Sequence, residues 1–328
     1  MPLPPPRTTV TGAPVRRRPR PRVVTGTLAL VAAAALLGGC GVRLESPPPT
    51  PPVPDAVEEV RQDGAVDAAT IARTVAEVTG AEGEVADVLE RVAVQARTHA
   101  DALGGVWQAW PDGAPEGVTT APVRTDPPVA DPAPQDVLDL LTAGAADARA
   151  ASLASPDDAV AAVLASVSIS RSHAAADLAG ALGEDLAPAA GAELSPDALL
   201  ARGTDGPTLL VLDQARHAFE TVAARSTGTS REAAARRAAH LQLLVDTALA
   251  DGAPDRRPGV YDLPDATDDL SAEQSAAVDA ESRLLTHWVF SITLTGPEER
   301  ESLLAAAEFA AGQVRAWGGT LEDLPGLG

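Results

Sequence analysis

Lysine is absent from the 328 residues, so all 25 basic side chains are arginine. With Ala, Val and Leu dominating, this composition reads as the codon bias of a GC-rich genome rather than as a functional signal. Cysteine occurs once, at Cys40. No disulfide can therefore staple the chain, and a domain placed in an oxidising compartment depends on its apolar core alone. Acidic residues are missing from positions 1–39, while the rest of the chain sets 19 Arg against 46 Asp and Glu, a net charge of −27. Such a surface repels anionic lipid and nucleic acid, so nucleic-acid partners are excluded from the expectation. No apolar run is long enough for a spanning helix, because the longest, Val23 to Leu37, has 15 residues. No alternating strand pattern, Gly-x-Ser-x-Gly elbow or phosphate-cradling glycine loop occurs either.

What is present begins with an export signal. Arg16, Arg17, Arg18, Arg20 and Arg22 precede the apolar run, which ends in Leu37-Gly38-Gly39-Cys40. Small residues before a cysteine at this place predict cleavage between Gly39 and Cys40 and a diacylglycerol on the Cys40 thiol. Two acyl chains, at about 0.8 kcal/mol per buried CH₂, anchor a protein without a basic patch. Residues 1–39 thus read as a lipoprotein signal peptide, and 40–54 as the lipidated cysteine with a spacer. Six of the nine residues from Ser46 to Pro54 are proline, which favours extended polyproline II.

From Asp55 onward the apolar period is helical. Val57, Val60, Ala68, Ile71, Val75 and Val78 share one stripe, and similar stripes run through about 84–103, 135–153 and 156–182. Four more follow at about 206–226, 230–250, 271–295 and 297–317. Ser155-Pro156 and Gly296-Pro297, each followed by two acids, read as helix starts, and Gly104-Gly105 and Gly318-Gly319 as helix ends. An offset of 141 residues lays the first four helices on the second four, with His99 on His240, Leu103 on Leu244 and Pro156 on Pro297. In each half the second connection is long, about 104–134 and 251–270. One long crossover is the ferritin-like topology, in which the second and third helices run parallel. The expected fold is all-α: two tandem antiparallel four-helix bundles, 55–183 and 206–328, joined by a linker at 184–205.

The stretches ARHAFETVAARS (215–226), REAAARRAAHLQLL (231–244), VYDLP (260–264) and the closing WGG and DLPG (317–326) resemble a ferritin-like domain of unknown function found at the end of actinobacterial lipoproteins. GCGVRLES after the apolar run is also similar to the opening of such lipoproteins. The resemblance implies a ferritin-like C-terminal bundle and carries over no activity.

A ferritin-like bundle raises the question of a di-iron site, which needs Glu-x-x-His on two helices. The residues three before the five histidines are Ala96, Ser170, Gln214, Arg237 and Leu284, none acidic. No metal, other cofactor or catalytic residue is therefore expected. Asp213, His217 and Glu220 share a helix face off the apolar stripe and read as solvated. His99 lies within its stripe as a core histidine, while His173 and His287 fall off theirs and are expected to be exposed. Trp107 and Trp110, in the long connection, read as a cap on the bundle's end, with a binding role as the alternative.

Arg237 and Glu281 each interrupt an apolar stripe, and parallel helices would place them about 10 and 15 Å from their helix starts. They are expected to pair in the core where ferritins hold metal; two side chains reaching solvent separately is the other possibility. Together these features predict a membrane-anchored lipoprotein on the outer face of the cytoplasmic membrane, with a non-catalytic binding or scaffolding module for an envelope protein or small ligand. The alternative is an enzyme or metal carrier using a non-standard site.

Overall fold

A computed structural model describes residues 49–327, and among them helix is the only regular structure. The helices are α1 (Ala56–Glu77), α2 (Gly83–Ala102), α3 (Pro134–Ala154), α4 (Asp158–Leu182), α5 (Pro196–Arg202), α6 (Gly206–Arg225), α7 (Gly228–Ala250), α8 (Ala272–Ile292) and α9 (Pro297–Ala316). Starts are set locally. Asp55, Asp157 and Asp205 each accept a hydrogen bond from an amide of the first turn, and Ser271 with Gln274 closes a capping box. Pro156 stands just outside α4, whose first turn is capped by Asp157 two residues beyond the expected start. Gly104 and Gly105 take positive φ directly after α2, a conformation that ends a helix.

In the N-terminal half α1 packs on α2 and α3, and α4 packs on α2 and α3. In the C-terminal half α6 packs on α7 and α8, and α8 on α9. The end of α6, the starts of α7 and α8 and the end of α9 line one cleft, so α7 and α8 begin at the same end and run parallel. The start of α2 likewise meets the end of α4, which places the starts of α2 and α3 together.

The two halves share a core. Ala161, Ala162, Ala165 and Ile169 of α4 belong to the same apolar cluster as Leu209, Phe219, Leu241 and Leu284 of the C-terminal half. From Thr50 the chain is accordingly one compact unit. Helix α4 is apolar on all faces and covered on all of them, with contacts to α1, α2, α3, α8 and α9. By length and apolarity it could cross a membrane, yet here it is a buried central helix.

Residues 184–205, read from sequence as a linker, contribute a wedge to the C-terminal half. Leu194 and Leu199 are core residues, and α5 packs against both α7 and α9. The wedge lies so close to α9 that Ala192 N–H donates to the Ala305 carbonyl at 2.9 Å. At neighbouring Gly191 (φ +60°) a Cβ would stand 2.2 Å from that oxygen.

Candidate functional site

Three arginines are almost wholly removed from solvent, and each is satisfied differently. Arg237 of α7 meets Glu281 of α8 in a two-pronged pair, Nε to Oε1 at 2.7 Å and Nη2 to Oε2 at 2.9 Å. Its Nη1 donates to Glu193 of the wedge at 2.8 Å, and Phe309 of α9 lies against the guanidinium at 4.9 Å from ring centre. Glu281 is fully buried and Arg237 is 9% exposed. The two side chains do not reach solvent separately. Burial works against the charge on Arg237, but Glu281 and Glu193 outweigh it and hold its pKa above the ordinary arginine value. His240, one turn along α7, donates from Nε2 to the Leu194 carbonyl and keeps the wedge in place.

Arg171 occupies the middle of the N-terminal half. It donates to the carbonyls of Gly144 and Gly64 at 3.0 and 3.1 Å and has the Asp67 carboxylate at 3.5 Å. Burial lowers its pKa despite Asp67. Arg300, at the start of α9, joins the halves: it donates to the carbonyls of Ser152 and Ser155 at 3.2 and 2.7 Å and pairs with Asp158. A cation there satisfies carbonyls left open at the end of α3.

Two groups expected in water are not there. Asp213 is buried, because the 251–271 connection folds over it: Tyr261 O–H donates to Oδ2 at 2.8 Å and Arg257 reaches Oδ1 at 3.3 Å. Burial raises the Asp213 pKa, but Tyr261 and Arg216 outweigh it and hold the carboxyl below its usual range. His217 is half-buried beside the Tyr261 ring, and only Glu220 of the three is exposed. Arg216 also pairs with Glu220 at 2.6 Å, so a guanidinium bridges the two acids.

The histidines off their stripes are covered as well. His173 is 8% exposed because α4 has neighbours on both sides, and His287 is half-buried, sharing a 3.1 Å hydrogen bond with Thr208. Burial, aided by Arg315 and Arg202 respectively, lowers both imidazoles to about 4. His99 is a core residue whose Nε2 donates to the Asp323 carbonyl, tying the C-terminal tail to α2; burial and Arg171 lower it to about 4. Among the described residues no three His, Cys, Asp or Glu side chains converge in a metal-holding group. Cys40 and Gly39 lie outside the described residues.

Two recesses combine polar and apolar walls. One, of about 370 Å³, lies against the 103–133 connection and is lined by Trp107, Trp110, Pro54 and Gln62; the Trp110 Nε1 is buried without a partner. The other, of about 450 Å³, opens between α2, α4 and the tail that follows α9. Ser170 and His173 of α4 form its floor beside Val88 and Ala174, and Arg315 pairs with Asp177 on its rim at 2.6 Å. Glu193 and Ser170 were missed in the sequence, the first because it lies outside any periodic segment. A signal for the second existed: an apolar helix carrying an arginine in its middle has to be surrounded. Compared with protein-family models, curated proteins and solved structures, the chain matches none.

Proposed function

We propose that the protein is an extracytoplasmic lipoprotein, tethered through Cys40 and the proline-rich spacer, whose helical part is a non-catalytic binding or scaffolding module. Its two halves are tandem antiparallel four-helix bundles, the second ferritin-like. Support for that topology comes from the parallel course of α7 and α8 across a long connection, repeated by α2 and α3.

One observation carries the non-catalytic reading. The place where facing helices of a ferritin-like bundle would present carboxylates to a metal holds the Arg237 guanidinium, bidentate on Glu281 and also paired with Glu193. A fixed cation neutralises these acids, and a metal would have to displace a desolvated, hydrogen-bonded pair. The anchor rests on Leu37-Gly38-Gly39-Cys40.

Two measurements test the reading. Cells expressing the Cys40→Ser variant are labelled with a lipid precursor, and the variant is expected to be unlabelled and released or mis-processed; labelled, membrane-held protein would overturn the anchor. Metal analysis of the dialysed protein is expected to find no stoichiometric iron or manganese. A bound ion lost on changing Glu281 or Glu193 would overturn the non-catalytic part.

A further inference from the structure

The recess between α2, α4 and the C-terminal tail has the features of a built ligand site. Ser170 is 2% exposed, and its Oγ has no hydrogen-bond partner on the cleft wall. A buried hydroxyl left unpaired is costly, and because this one is covered, a rotation about χ1 has to turn it to the recess for a ligand to satisfy it. One turn further along the same face of α4, His173 also lines the recess, and among the described residues none hydrogen-bonds to its ring. Gln95, on the facing wall of α2, is likewise without a protein partner among the described residues.

These three groups share a chemistry. A hydroxyl, a primary amide and an uncharged imidazole each donate and accept, and none carries charge. His173 is uncharged near neutrality because burial and the Arg315 guanidinium both disfavour its protonated form. The ligand groups that meet this floor must themselves be neutral and able both to donate and to accept, which describes alcohol hydroxyls. Val88 and Ala174 supply apolar surface against which the C–H face of such a molecule packs.

Charge at the rim points the same way. Arg91 and Arg315 face Glu84, Asp177 and Glu322, one more carboxylate than guanidinium, and Arg315 is already engaged by Asp177. An anion finds no free buried cation there. The recess also lies at the junction of the two halves, where Thr320 to Glu322 form one wall and the next residue, Asp323, is held by Thr98 and His99. Recesses at such junctions are favoured ligand positions, and 450 Å³ falls within their usual range.

We infer that this recess binds a neutral polyhydroxylated small molecule of the sugar class, held by Ser170, His173 and Gln95. The inference rests on reading the helical part as a binding module, and the two fail separately: retention and metal content test that reading, whereas titration tests the recess.

The purified full-length protein is titrated with glucose, trehalose and myo-inositol, and with glycine and inorganic phosphate as charged comparators. Binding is read from saturation-transfer NMR and from the His173 ring resonances. The expected result is saturable binding of at least one polyol, weakened about tenfold in Ser170→Ala or His173→Ala, with glycine and phosphate unable to displace it. Because the Ser170 hydroxyl has no protein partner, Ser170→Ala leaves the fold intact and keeps the test decisive if His173→Ala unfolds. Saturation by none of the three polyols, equal binding by both variants, or displacement by glycine or phosphate would overturn the inference.

Discussion

Arg237 and Glu281 are each the tenth residue of their helices, and in that register the guanidinium lies flat against the carboxylate with two bonds of 2.7 and 2.9 Å. Both residues lie near the middle of their helices, so the pair sits at mid-depth between α7 and α8, whose parallel course is shown by their starts lining one cleft. Removing either partner strands the other in the core, so Arg237→Met and Glu281→Leu are each expected to cost about 3 to 5 kcal/mol in urea unfolding. The double variant is expected to lose much less than the sum, and additive losses would show that the residues do not interact. Glu193→Gln is expected to cost about 1 kcal/mol or less, because that carboxylate is one-third exposed.

Gly191 tests whether the wedge belongs to the core. An alanine there would need positive φ and would place its methyl against the α9 backbone at Ala305 and Phe309, which no side-chain rotation relieves. Gly191→Ala is expected to cost about 2 kcal/mol or more and to speed amide exchange across residues 189–202. A variant as stable as the parent, with unchanged exchange, would show that the wedge is dispensable.

Acid is expected to weaken the fold through three imidazoles. His99, His173 and His287 are held at about 4 by burial, against an ordinary value of 6.5. Between those values the unfolded chain binds more protons than the folded one. Stability is thus complete above about 6.5 and falls as pH drops towards about 4. Urea midpoints measured across this window should decline, and a triple variant with glutamine at all three positions should decline less. That comparison isolates the imidazoles from Asp67 and Glu308, whose carboxyls burial raises and which act in the opposite sense. Parallel profiles for the two proteins would contradict the assignment.

Tyr261 is expected to hold the 251–271 connection down through one bond. Its hydroxyl donates to the buried Asp213 carboxylate at 2.8 Å, and a hydrogen bond to a charged acceptor contributes more than a neutral one. Tyr261→Phe should lose about 1 to 2 kcal/mol and raise the Asp213 pKa towards its ordinary value, observable by NMR titration. Asp213 titrating unchanged in the variant would mean that Arg216 and Arg257 suffice.

Much of the fold was legible without coordinates. The ends of α3 and α6 through α9 fall within a few residues of those expected from periodicity and caps, because a 3.6-residue apolar repeat and a capping side chain are local properties. The candidate site was legible only where a charge interrupted a stripe, as at Arg237 and Glu281. Glu193 and the Tyr261–Asp213 bond left no such trace, since each depends on a segment with no period of its own, whereas Ser170 was signalled only indirectly, by Arg171 beside it in an apolar helix.

The sequence by itself determined an all-α chain, the order and approximate extent of its long helices, and that a charge in an apolar stripe needs a partner. Only the tertiary structure decided which faces are buried. A stripe marks the one face a helix shows to a single core, whereas α4 serves two cores and α6 is covered by a connection, so His173 and Asp213 lost the solvent that their positions off the stripe implied. Tertiary packing likewise brought residues 184–205 into the core: the segment is too short and irregular to carry a pattern, and its place was set by the gap between α7 and α9 that Leu194 and Leu199 fill.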